Sequence, residues 1–97
     1  MNNSRVYSRI ERVEKLINEK LSPLFLKVED KSDLHKGHRE ATNEGETHLS
    51  IVVISSMFYK KSKLERHRIL NNVLSAELQS GLHAIEMNLL SPDEQKK

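Results

Sequence analysis

A single α+β domain, an α/β sandwich with helices stacked on one face of a three-stranded mixed sheet, is the fold class this sequence predicts. Apolar residues recur every three or four positions in some stretches and every second position in others, giving the order α-β-β-α-β-α. The segment between the last two strands is long enough for a helix, so the third strand can lie parallel to the second through a right-handed crossover, while the first two pair antiparallel. A chain of 97 residues makes one domain, residues 1–97, and buries roughly 60–65% of its unfolded surface. Residues 1–3 and 95–97 are expected to fray.

The first helix is drawn by Val6, Ile10, Val13, Ile17 and Leu21, which form one apolar stripe with charged residues on the other faces. Asn3 or Ser4 can cap it and Pro23 ends it. From Leu24 to Glu29 the period falls to two, with Leu24, Leu26 and Val28 on one side, and this is the first strand. Residues 30–45 are polar almost throughout and exceed the roughly 12–15 residues beyond which a loop is usually functional or disordered. The strongest strand follows from Glu46 to Ser55, with Leu49, Ile51 and Val53 on one face; Val52 and Ile54 keep its other face from being fully wet.

Ser62-Lys63-Leu64-Glu65 has the capping-box pattern, in which serine and glutamate satisfy each other's orphan backbone donors. A second helix is predicted from about Lys63 to Gln79, with Leu64, Leu70, Val73, Leu74 and Leu78 as its stripe and Gly81 as its stop. The third strand runs from Leu82 to Leu89, with His83, Ile85, Met87 and Leu89 in one phase. Ser91-Pro92-Asp93-Glu94 starts a last short helical turn.

Composition excludes several classes of function. Sixteen basic against fourteen acidic residues leave a net charge of +2, which weakly permits an anionic partner. No apolar run approaches the roughly 20 residues of a membrane span, and Met1 to Arg5 is not expected to open a signal segment. A cytoplasmic location is the default, with no membrane partner. There is no cysteine nucleophile, no Gly-x-Ser-x-Gly elbow and no phosphate-binding glycine loop, so the chain is expected not to be an enzyme.

Five histidines without any cysteine carry the chemistry that remains. His35 and His38 flank Lys36-Gly37 in the polar loop, and His83 follows Gly81 at the entrance of the last strand. Imidazole ligates metals readily. Structural zinc takes about four protein ligands and catalytic zinc about three with a water, so these rings alone do not complete such a site. His48 is expected to be structural, beside Thr47 on its strand. Lys60, Lys61, Lys63, Arg66 and Arg68 form a basic cluster around His67, opposed only by Glu65, that could meet phosphates or an acidic protein surface. No Gly-x-x-Gly occurs, so the backbone clamp of KH-type RNA binding is missing.

The strings Val28 to Ser32, His35-Lys36-Gly37-His38, Glu46-Thr47-His48-Leu49, Val53 to Phe58, Leu64-Glu65-Arg66-His67-Arg68 and Leu82-His83-Ala84-Ile85 together resemble the BolA family, from about Arg5 to Pro92. That resemblance implies a type II KH-like fold and partnership with a monothiol glutaredoxin around a shared [2Fe-2S] cluster. It maps one cluster ligand onto His83 and a second onto the loop, best onto His35, with His38 the neighbouring choice. Two ligands from this chain leave the other positions to a glutaredoxin cysteine and glutathione, so the isolated chain is expected to hold no cluster stably. Alone it is expected to be a monomer or weak homodimer. Bacterial members are also described as transcriptional regulators of stress and morphology. The alternative implied function is therefore DNA binding through Lys63, Arg66, His67 and Arg68.

Overall fold

The computed structural model describes residues 7–31 and 47–95. Helix α1 spans Arg9–Leu21, strand β1 Phe25–Asp30 and strand β2 His48–Ile54. Helices α2 (Lys63–Val73) and α3 (Ser75–Gln79) lead to strand β3 (Ala84–Leu90), and single 3-10 turns occupy Ser56–Phe58 and Pro92–Gln95. The sheet order is β1-β2-β3. β1 pairs antiparallel with β2, and β3 pairs parallel with it, as the sequence predicts. No helix among the described residues is long and apolar enough to cross a membrane.

The register sorts the sheet's side chains onto two faces. Leu26, Val53 and Leu89 lie in one row and Val28, Ile51 and Met87 in the next, all facing the helices. Against them pack Val13, Ile17 and Leu21 of α1 and Leu70 and Leu74 of the α2–α3 region, with Phe58 and Leu82 closing the ends. Each fully buried aliphatic side chain here contributes about 1.5–3 kcal/mol of transfer free energy. On the opposite face Val52, Ile54 and Leu90 stay partly buried and Phe25 is exposed, among Lys27, Glu29 and Glu86.

Several expected boundaries move, each for a local reason. The cap of α1 is Ser8 rather than Asn3 or Ser4, because Glu11 sits three residues on and completes a capping box: Ser8 Oγ accepts from Glu11 N–H while Glu11 accepts from Ser8 N–H. The helix closes at Ser22, whose left-handed φ of 43° precedes Pro23. Leu24 donates its N–H to the Ile54 carbonyl, but its side chain overhangs the core and is 72% exposed.

The predicted single helix from Lys63 to Gln79 is two helices meeting at Leu74. Asn71, Asn72 and Val73, all modest helix formers, precede the break. The redirected turn of α3 carries Glu77 back against α1, where Arg9 and Arg12 bind its carboxylate. Leu64 belongs to the exposed side of α2, at 59% exposure, and not to the apolar stripe.

Leu82 ends the helical region instead of starting the strand, since its N–H bonds the Glu77 carbonyl. Gly81 just before it has φ +128°, and a Cβ there would meet the Arg9 guanidinium at 2.8 Å. At the other end of the sheet Ser55 is fully buried; its hydroxyl donates to the Leu21 carbonyl at 2.6 Å and accepts from Met57 N–H. One side chain thus joins the end of α1 to the end of β2.

Candidate metal centre and basic surface

His83 is exposed and stands one residue before β3. Its backbone N–H bonds the Thr47 carbonyl at 2.8 Å, and Ala84 N–H shares that acceptor at 3.2 Å. On the far side of β2, Lys31 N–H bonds the His48 carbonyl at 2.8 Å. Lys31, Thr47 and His83 therefore lie side by side at one end of the sheet, and residues 32–46 leave and rejoin the described chain there. His35 and His38 fall in that segment, outside the described residues. Among the described residues no three histidine, cysteine, aspartate or glutamate side chains gather as a metal site, so His83 is the one described member of the expected ligand set.

The other described histidines are placed differently. His48 turns to the face away from the helices, where its Nε2 lies 3.6 Å from the Glu86 carboxylate. This is a diagonal contact between neighbouring strands, since His48 is opposite Ala84 and Ser50 opposite Glu86. His67 is half-buried on α2.

The basic cluster divides into an outward and an inward part. Lys60, Lys61, Lys63 and Arg68 are exposed, whereas Arg66 is 9% exposed and folded into the structure. Its guanidinium donates to the Lys61 and Leu89 carbonyls, both at 3.0 Å, and to both oxygens of Glu94 at 2.6 and 3.1 Å. It also lies over the Phe58 ring, 5.8 Å from its centre.

Glu94 is fixed in turn by the Ser91 N–H at 2.9 Å. Arg66, with help from that N–H, holds the Glu94 carboxyl down at about 2. Arg66 was expected among the phosphate-facing residues; its donors are already used by partners that sequence separation hid, with Glu94 as the carboxylate. Glu94 itself was signalled only by its position three residues after Ser91.

Sequence periodicity also missed the ion cluster under α1. Glu77 is 6% exposed. It accepts from Arg9 at 2.8 Å and from Arg12 at 2.7 and 2.9 Å. Arg12 first, then Arg9, lowers its carboxyl below the usual value of 4.5.

Between the start of α2 and the outer edge of β3 runs a groove of about 380 Å³, lined by Lys61, Lys63 and His67 on one side and Met87 and Leu89 on the other. Nothing in the periodicity of either element marked it, because it forms only where the two meet.

The fold and these positions agree with the family that the sequence resembles, and direct comparison decides the matter. The family model described as BolA-like protein matches residues 17–94. This chain belongs to the BolA family. SufE-like protein 1, chloroplastic/mitochondrial, of Arabidopsis thaliana is 38% identical over 91 residues, 90% of this chain and 24% of that protein. The chain thus spans about a quarter of that relative. DNA-binding transcriptional regulator BolA of Haemophilus influenzae is 32% identical over 84 residues, covering 87% of this chain and 78% of that protein. Among solved structures, the BolA domain of SufE1 from Arabidopsis thaliana superposes with a TM-score of 0.80 at 38% identity, over 93% of this chain and 99% of that one. BolA1 from the same plant gives 0.81 at 28% identity, over 94% and 100%.

Proposed function

We propose that this BolA-family chain is a non-enzymatic adaptor that binds a monothiol glutaredoxin and contributes histidine ligands to a shared [2Fe-2S] cluster, acting in iron–sulfur cluster and iron homeostasis. The observation that carries this reading is the exposed ring of His83 at the sheet end where residues 32–46 depart and return. His35 is four residues beyond Lys31, so its Cα can lie no more than about 14 Å from it. Lys31 and His83 are separated by the width of β2, roughly 10 Å for two strand spacings. The chain length therefore permits His35, and less tightly His38, to reach the neighbourhood of His83.

The residues present fit such a group in part. Imidazole nitrogens are accepted ligands of [2Fe-2S] irons, and the chain has no cysteine, so thiolates have to come from a glutaredoxin cysteine and from glutathione. The cluster would supply one-electron chemistry and a transferable iron–sulfur unit. His83 would present a nitrogen from a rigid strand end, since its backbone is pinned to Thr47.

Mixing the full chain with cluster-loaded monothiol glutaredoxin should change the visible absorption and circular dichroism of the cluster. His83→Ala should abolish the change, and His83→Cys should restore binding with a different spectrum. Identical spectra for wild type and His83→Ala would remove His83 from the ligand set.

A second reading, contact with DNA, is favoured by the name of the Haemophilus influenzae relative. With Arg66 engaged internally it would rest on Lys63, His67 and Arg68 together with Lys60 and Lys61. It predicts duplex binding that weakens steeply with salt and with Lys63→Ala or Arg68→Ala but is indifferent to His83.

A further inference from the structure

We infer that the outer edge of β3 and the groove beside it form a docking site for an extended acidic peptide segment, which adds to the sheet as a fourth strand. Among the described residues β3 is an edge strand. The Leu90 carbonyl points toward β2, where it accepts from Ser55 N–H, and the Leu89 carbonyl points the opposite way, to Arg66. Ile85 and Met87 share the phase of Leu89, so their N–H and C=O groups also turn outward. No described residue bonds them. Such a row of unsatisfied backbone groups is a template for strand pairing unless something covers it.

The groove supplies what a bare edge lacks. Its floor at Met87 and Leu89 is apolar, and Lys61, Lys63 and His67 line it as well. No ion pair among the described residues engages Lys61 or Lys63. Glu94, which lines the groove together with Arg66, is committed to that arginine, and Glu65 nearby to the cap of α2. The site is therefore positive as well as partly apolar. A segment whose helix-side row carries both aliphatic and acidic side chains matches both properties, placing the aliphatic ones on the floor and the carboxylates toward the lysines while its backbone pairs with Ile85 and Met87. Pairing would stop at Leu89, whose carbonyl Arg66 already occupies.

A phosphate backbone fits the lysines but not the rest. It has no donor and acceptor ladder for the strand edge, and the most enclosed cation of the cluster, Arg66, is not free to meet it. The inference does not depend on cluster ligation, because His83 precedes β3, roughly 7 Å from Ile85 and roughly 13 Å from Met87 along the chain, and takes no part in the pairing or in the groove.

The test is a titration of the nitrogen-15-labelled full chain with a synthetic peptide in which every second residue is valine or glutamate in turn and the residues between are threonine, so that one face carries both valine and glutamate. The amides of Ile85 and Met87 should shift and exchange more slowly, and the double variant Lys61→Glu/Lys63→Glu should bind roughly tenfold more weakly. Both lysines are exposed, so this variant keeps its fold. A matched peptide N-methylated at alternate residues keeps the charge but cannot pair, and it should fail to bind. Equal binding of the methylated peptide would mean charge attraction alone and overturn the inference. It would equally be overturned if the Ile85 and Met87 amides did not respond, or if a DNA duplex occupied the groove where the peptide did not.

Discussion

Replacing Glu77 with alanine lowers the stability of the fold by about 3 kcal/mol, the low end for removing one partner of a buried ion cluster. The loss comes less from the missing attraction than from what stays behind. Arg9 keeps only 13% of its side chain in solvent, and without Glu77 its charge has no carboxylate. Arg12, at 40%, recovers water more easily and limits the damage. At this chain size the effect corresponds to a fall in Tm of roughly 15 °C. Urea denaturation of Glu77→Ala checks the figure; a change below about 1 kcal/mol would show that the arginines find other partners. The triple variant Arg9→Met/Arg12→Met/Glu77→Leu should be much less destabilised than Glu77→Ala, because it leaves no buried charge uncompensated.

This cluster and the Arg66–Glu94 pair together set a pH dependence. Glu77 and Glu94 both have carboxyls lowered in the folded state, so their contributions are complete above the unfolded value and disappear as the pH falls through the folded one. For Glu94 that window runs from 4.5 down to about 2. Stability should therefore decline on acidification below about 4.5, and Glu77→Ala should flatten part of the decline.

Replacing Arg66 with alanine is expected to destabilise the chain by about 2 kcal/mol, whatever it does to any ligand. It uncaps the Lys61 and Leu89 carbonyls and strips the cover from the buried Phe58 ring. Thermal denaturation separates this from a surface role: Arg68→Ala, on the exposed side of the same helix, should leave Tm unchanged. If Arg66→Ala melts with the wild type, the inward placement of Arg66 is wrong. A loss of DNA binding in Arg66→Ala thus cannot be assigned to a lost phosphate contact until stability has been measured.

Local pattern carried the parts of the fold that depend on neighbours in sequence. The alternation from Leu49 to Val53 named a buried strand face, the three- and four-residue spacing of Val13, Ile17 and Leu21 named the buried side of α1, and Ser62 with Glu65 marked the start of α2. Features decided by distant partners were hidden. The direction of Arg66 depends on Glu94, 28 residues later, and the break at Leu74 serves a carboxylate that meets arginines 65 and 68 residues earlier. Leu24 and Leu64 fit their periodic stripes but overhang the core, because periodicity gives a side chain's phase and not where the opposing layer ends. At the candidate site, the place of His83 at a strand entrance was legible from Gly81 and the phase of Ile85. Its proposed loop partners lie outside the described residues.

Pulsed electron paramagnetic resonance on the reduced cluster, with nitrogen-15 histidine in this chain alone and an unlabelled monothiol glutaredoxin, tests the proposed ligation most directly. The account predicts strong nitrogen-15 couplings of metal-bound imidazole, lost in His83→Ala. A cluster-containing complex with no such coupling would contradict it.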